Sequence, residues 1–300
     1  MPKSLLAVVF AAVALAASAC GSSSSSSSSS SAPAGGSTGQ TCSPATNKTL
    51  TANTLTIGTD NPAYYPYFSG GPGHEWSGKY NNDPYKDKGF EDAVAYAVAK
   101  QMGYSPSQVK WAVTHFNQSF APGPKNFDFY LAQVSIKPNR AQNADFSAPY
   151  YSANQAVVAI KGTPISKATS LAALKPYKLG TQIGTTSYDY ITQTIQPSQQ
   201  PQAYTTTNDA INALKNGQID GLVVDLPTAF YMTAVQIPNS TIVGQFAPSP
   251  GGDQWGLVLS KGSPLTPCVN QAVNALSSAG TLDQLRQTWL SEKASAPVLQ

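Results

Sequence analysis

The chain has 300 residues and a net charge of only +3 at pH 7, with no basic run interleaved with aromatics, which excludes a nucleic-acid partner from the expectations. Only 11% of its residues are charged, so solubility rests on neutral Ser, Thr, Asn and Gln, as suits an extracytoplasmic protein. Roughly 250 residues follow the serine-rich tract, enough for one large or two smaller α/β lobes with cores of their own.

Residues 1–19 carry Lys3, an apolar run from Leu5 to Ala17 and then Ala17-Ser18-Ala19, the layout of a secretory signal and shorter than a membrane span requires. Cys20 follows directly, succeeded by Gly21 and an unbroken run from Ser22 to Ser31. This resembles a bacterial lipobox, with Cys20 becoming the lipidated N-terminus. Ala17-x-Ala19 also suits ordinary signal peptidase, and that alternative stays open. On the lipidated reading, residues 20–52 are a Ser/Gly/Pro-rich tether holding the domain at the outer face of the cell membrane. Cys42 and Cys268 then remain as an even pair in an oxidising compartment and are expected to bridge, the alternative being two unrelated thiols.

Leu55-Thr-Ile57-Gly-Thr-Asp60 alternates as a short strand and runs into turn chemistry at Asn61-Pro62, a suitable place for a binding loop. The stretch onward to Lys88, rich in Gly, Pro, Tyr and Asn, reads as a long surface excursion. Phe90 to Met102 is a predicted helix: Phe90, Ala93, Val94, Ala97 and Val98 share a face, Glu91 and Asp92 suit its N-terminal dipole, and Gly103 stops it. Phe127 to Val134 and Gln155 to Ile160 read as strands. Between them, Arg140, one of only two arginines, stands in a turn-rich aromatic segment. Its guanidinium fork matches a carboxylate, and Ser135 can add a hydroxyl and an N–H; the competing reading is a surface arginine paired with Asp145.

Lys178 to Gly184 is a strand opening into Thr185-Thr186-Ser187, and the helix predicted over Tyr188 to Thr194 presents its N-terminal N–H groups there. Asp209 to Asn216 is a helix closed by Gly217, and Ile219 to Val224 a buried strand. Asp225-Leu226-Pro227 follows as a strand-to-helix turn in which Asp225 can serve simply as a cap. Trp255 to Leu259 returns as a strand, and Val269 to Leu290 supplies helices broken near Gly280. His74 and His115 are isolated, and no Gly-x-Ser-x-Gly elbow, Cys/His pair or zinc-spaced histidine set occurs, so no catalytic residue, metal or cofactor is expected.

In order, these pieces resemble the amino-acid-binding receptors (family 3) that serve bacterial ABC importers, over about residues 53 to 291. The resemblance is carried by Ile57-Gly-Thr-Asp60 with Tyr64 and Pro66, Gly89-Phe90 and the Ser135 to Tyr151 segment. It continues through Leu179-Gly180-x-x-x-Gly184-Thr-Thr186-Ser-x-Asp189-Tyr190, Ala213-Leu-Lys-Asn-Gly217-x-Ile-Asp220-Gly-Leu-Val-Val-Asp225-x-Pro227, Gly256-Leu and Lys261-Gly-Ser-Pro. It implies the two-lobed type II periplasmic-binding-protein fold, α/β throughout, closing on ligand about two crossover strands near Gln155 to Ala159 and Gln254 to Val258. Lobe 1 is then 53–159 plus 253–300, and lobe 2 is 160–252.

The same resemblance implies capture of a free amino acid for an ABC importer permease, by a receptor expected to be monomeric and, on the lipidated reading of Cys20, membrane-anchored. Arg140 and Ser135 would hold the α-carboxylate with help from the Thr186 backbone and hydroxyl, Thr185 would be a further ligand contact, Asp225 would receive the α-ammonium, Tyr64 and Phe116 would form aromatic walls, and Asp60 and Gln182 would meet the side chain; the competing readings are helix caps for Thr185 and Thr186 and core or rim aromatics for Tyr64 and Phe116. A polar or basic ligand is expected over a branched aliphatic one. The alternatives are a periplasmic dehydratase on the same fold and a ligand-sensing lipoprotein.

Overall fold

The computed structural model describes residues 42–247, 253–290 and 296–299; the expected signal peptide, Cys20 and the serine tract lie outside the described residues. In chain order the strands are β1 (Leu55–Thr59), β2 (Val109–Val113), β3 (Phe129–Tyr130), β4 (Ala144–Phe146), β5 (Tyr151–Ala153), β6 (Gln155–Ile160) and β7 (Leu179–Gln182). They continue as β8 (Gln202–Tyr204), β9 (Gly221–Asp225), β10 (Ser240–Phe246), β11 (Asp253–Trp255), β12 (Val258–Ser260) and β13 (Val298–Leu299). They form a five-stranded sheet ordered β2-β1-β3-β12-β4, a six-stranded sheet ordered β13-β10-β6-β9-β7-β8, and the two-stranded pair β11-β5 between them in sequence. All of this belongs to one compact unit, Gln40–Gln300.

The reason for each sheet is visible in its side chains. Successive strand residues face opposite ways, so a strand covered on both faces must be apolar throughout. That is what β6 shows: Ala156 and Val158 pack with Leu222 and Val224 against Ala210, Leu214 and Met232, whereas Val157 and Ala159 pack with Val223 against Ile191 and Ile195. In the first lobe, Leu55, Ile57 and Phe129 lie beneath Phe90, Val94 and Val98 of the Phe90–Gln101 helix and Val269 and Val273 of the Thr266–Ser278 helix. The Cys42–Cys268 disulfide fastens the start of the described chain to that second helix.

Several expectations need correcting. Gln155–Ile160 is a central strand of the second sheet, paired with β9 and β10, so the first crossover lies earlier, at the β5 strand. The proposed lobe 1 boundary also took in the C-terminus, but Val298–Leu299 pairs with β10 in the second sheet. The stretch to Lys88 is no surface excursion: Tyr67, Phe68 and Trp76 are buried, and Gly89, at φ 114°, lets the loop lie so close that a Cβ there would stand 2.4 Å from the Tyr67 carbonyl. Only Phe129–Tyr130 of Phe127 to Val134 is strand, and Trp255 to Leu259 is divided between β11 and β12. The helix expected over Tyr188 to Thr194 begins earlier, as Thr186–Asp189, and continues with π-type turns over Tyr190–Ile195.

Candidate functional site

In open α/β sheets the ends of parallel strands leave a crevice where loops, freed from ladder pairing, can gather side chains. Here Asp60 follows β1, Phe116 opens a short helix just after β2, and Ser135 and Arg140 follow β3. From the other lobe, Gln182 ends β7, Thr185 and Thr186 follow it, and Asp225 ends β9. One cleft between the lobes is lined by all nine residues singled out from the sequence: Asp60, Tyr64, Phe116, Ser135, Arg140, Gln182, Thr185, Thr186 and Asp225.

Arg140 is no surface arginine. It is 6% exposed, and its Nη1 and Nη2 donate to the carbonyls of Ser135 and Gly184, each at 2.8 Å. Its guanidinium lies 4.5 Å from the Phe120 ring centre and 5.4 Å from that of Phe116, and Asp145 pairs instead with Lys261 at 3.4 Å. Gly184, at φ 78°, presents its carbonyl from a backbone conformation that disfavours a side chain, and a Cβ there would fall 2.3 Å from Asn117 Oδ1. Burial works against the Arg140 charge, while the nearby carboxylates of Asp253, Asp189 and Asp225 favour it.

Asp225 occupies the cap position of the Leu226–Tyr231 helix, but its side chain makes no cap hydrogen bond; it accepts instead from Gln155 Nε2. The capping alternative is therefore not the one adopted. Burial, and then the charge of Asp253, hold its carboxyl well above the ordinary carboxylate range, with Gln155 and Arg140 pulling the other way. Asp60 is likewise raised by burial, against the N–H of Asn61 and against His115, whose Nδ1 lies 3.5 Å from Oδ1. Thr185 does serve as a cap, accepting from Tyr188 N at 3.3 Å and donating to the Gln182 carbonyl at 2.8 Å. Gln182 Oε1 accepts from Thr207 Oγ1 at 2.8 Å.

The lobes meet through several polar contacts. Besides the Arg140 bond to Gly184, the Tyr67 and Thr228 hydroxyls are 2.9 Å apart, Asn208 N donates to Tyr64 Oη at 3.3 Å, and the Tyr65 and Tyr231 rings lie 4.6 Å apart between centres. Residues that sequence reasoning missed are Gln155 and Asp253, which flank Asp225 and Thr186, and Thr59, which lines the cleft with a buried hydroxyl that has no protein partner. Gln155 and Asp253 sit beside the crossover segments, and that position was the signal available to find them. Among the described residues no group of three or more His, Cys, Asp or Glu is placed to hold a metal ion, and no helix is long and apolar enough to cross a membrane.

Residues 77–292 match the family model of bacterial extracellular solute-binding proteins, family 3. The chain is 26% identical over 246 residues to the L-cystine-binding protein TcyJ of Escherichia coli (strain K12), covering 81% of this chain and 85% of that protein. It is 28% identical over 210 residues to the ABC transporter arginine-binding protein 1 of the same organism, covering 68% and 82%. Among solved structures, an ancestral arginine-binding protein bound to glutamine superposes with a TM-score of 0.64 at 28% identity, covering 80% of this chain and 98% of that one. The architecture is that of the type II periplasmic binding proteins, and the chain belongs to the bacterial extracellular solute-binding proteins, family 3.

Proposed function

We propose that the protein is a lipid-anchored receptor that captures a free amino acid between its lobes and hands it to the permease of an ABC importer, without turning it over. The observation that carries this reading is a buried guanidinium, Arg140, and a half-buried carboxylate, Asp225, lining one cleft from opposite lobes. A zwitterion needs a cation at one end and an anion at the other, and neither charge can be buried alone cheaply. Ser135 and Thr186 are placed to supplement Arg140 and Asp225 around the backbone atoms of the ligand, with Tyr64 and Phe116 as walls. Asp60, Gln182 and the Thr59 hydroxyl are left for its side chain.

The cleft wall carries two carboxylates, Asp60 and Asp225, against the one guanidinium. After the ligand's own ammonium and carboxylate are matched, a negative charge remains, which favours a basic side chain first and a neutral polar one second. Relatives whose names specify arginine support the same order. A thermal-shift screen of the twenty amino acids, followed by calorimetry on the hits, tests the reading. Stabilisation by arginine, lysine or glutamine is expected, and preferential binding of leucine or valine, or no binding at all, overturns it. Anchoring is tested separately: Cys20→Ser should release the protein from the membrane fraction, and retention of that variant there would rule the lipid out.

A further inference from the structure

Of the residues that line the cleft, Gln133 alone has its backbone in the left-handed region, at φ 54°. A side chain makes that conformation costly, so it persists only where neighbours hold it. Glu91 is the neighbour that does so. It stands in the first turn of the Phe90–Gln101 helix, where an acid suits the helix terminus, yet its carboxylate is bonded to the loop that follows β3. Gln133 N donates to Glu91 Oε1 at 2.7 Å, and Gln133 Nε2 donates to Oε2, so one carboxylate grips both the backbone and the side chain of one residue. The Tyr150 hydroxyl donates to Oε1 as well.

Among the described residues, the two bonds to Glu91 are the only hydrogen bonds that Gln133 makes. The far end of the same loop is held from elsewhere: the Val134 carbonyl accepts from Gly256 N at 3.0 Å, and Ile136 N donates to the Gln254 carbonyl at 2.8 Å. Glu91 has no exposed surface, so bulk water does not compete for its carboxylate. Pinned by its nitrogen, the Gln133 amide is left with Oε1 and one amide proton, and the backbone with its carbonyl; neither oxygen has a donor among the described residues. We propose that Glu91 is a positioning residue for the ligand: by holding Gln133 in the left-handed conformation and by its amide nitrogen, it keeps the Gln133 oxygens on the cleft wall as acceptors for a donor group of the ligand.

The inference rests on the amino-acid reading for its ligand but not for the grip of Glu91 on Gln133. That grip is tested in ligand-free protein at about pH 8, above the value of about 7 to which burial raises the Glu91 carboxyl, so that it is an acceptor only. In nitrogen-15 NMR spectra the Gln133 side-chain amide, identified by its disappearance in Gln133→Gly, should show a proton shifted downfield and exchanging slowly with water. Coincidence with the free glutamine amides overturns the grip.

The positioning role is tested at the same pH by a double-mutant cycle read in the Kd of L-arginine, or of L-glutamine where arginine does not bind. In Glu91→Gln the new amide nitrogen faces that of Gln133, donor against donor, so the Gln133 amide turns its oxygen from the cleft to residue 91, and affinity should fall by about tenfold. Gln133→Gly should lose about as much, because Oε1 is gone. Glycine keeps the left-handed backbone unaided and has no amide to turn, so adding Glu91→Gln to it should change Kd by less than about twofold. A merely structural Glu91 would cost the same factor in both backgrounds, and that result refutes the positioning role, as does wild-type affinity in either single variant. Circular dichroism checks that each variant is folded; where Glu91→Gln is not, the Kd of Gln133→Gly and the NMR spectrum of the wild type still decide. If no amino acid binds the wild type, the proposed function falls while the NMR spectrum still decides the grip.

Discussion

Replacing Arg140 by alanine is the most direct test of the cleft. The side chain is 6% exposed, and its two terminal nitrogens tie the Ser135 carbonyl of one lobe and the Gly184 carbonyl of the other, each at 2.8 Å. A guanidinium carries five N–H donors, so these bonds leave others free for a carboxylate. Truncation leaves a buried ligand carboxylate without its partner, a loss of about 3–5 kcal/mol. That corresponds to a rise in Kd of roughly two to three and a half powers of ten. The two carbonyls also lose charged donors, each worth about 1.5–3 kcal/mol, so the contact between the lobes should weaken as well. Arg140→Lys separates the effects: it restores the charge but not the planar fork, and should recover only part of the affinity. Titration calorimetry with L-arginine and L-glutamine measures the loss, and thermal melting confirms that each variant is folded. A folded Arg140→Ala protein whose Kd stays within about threefold of wild type would refute the clamp.

Three further outcomes are expected. Removing the Cys42–Cys268 bridge frees a loop spanning 226 residues, worth about 5 kcal/mol in the chain-entropy model, so the double Ser variant should melt lower; neither cysteine lines the cleft, and a loss of ligand affinity beyond a few-fold would contradict that separation. The Tyr65–Tyr231 ring contact crosses between the lobes, so a double-mutant cycle to alanine, read in ligand affinity, should return a coupling of about 0.5–1.5 kcal/mol, whereas strictly additive losses would show that the contact does not hold the lobes closed. Glu91 is fully buried, and burial raises its carboxyl from 4.5 to about 7 against the bonds from Tyr150 and Gln133. The folded state therefore holds a proton that the unfolded state has lost between those values, and stability must fall as pH rises through them. Urea melts should show wild type losing ground to Glu91→Gln from pH 4.5 to about pH 7; a constant difference over that range would contradict it.

Much of the site was legible because it is written in short local signals. A strand that ends in Asp60-Asn61-Pro62, an isolated arginine in a turn, and Asp225 before Leu226-Pro227 each announce a loop at a strand end, and parallel strands bring such loops to one edge. The long helices were equally legible, since Phe90, Val94 and Val98 repeat at the spacing of one helix face and Gly280 divides the two C-terminal helices.

What the sequence could not decide are pairings between distant segments. Gln155 through Ile160 reads as a strand in any sheet; only its register against Asp225 and Phe246's strand places it in the second lobe and moves the crossover to Tyr151–Ala153. The Gly- and Tyr-rich stretch before Lys88 looks exposed from composition, yet Tyr67, Phe68 and Trp76 are buried because the rest of lobe 1 supplies a surface for them. Asp253 is an unremarkable acid on a chain with fifteen acidic residues. Its place beside Asp225 and Thr186 exists only because a crossover strand returns there, since the electrostatic field at a site depends on distances in space that no local pattern encodes.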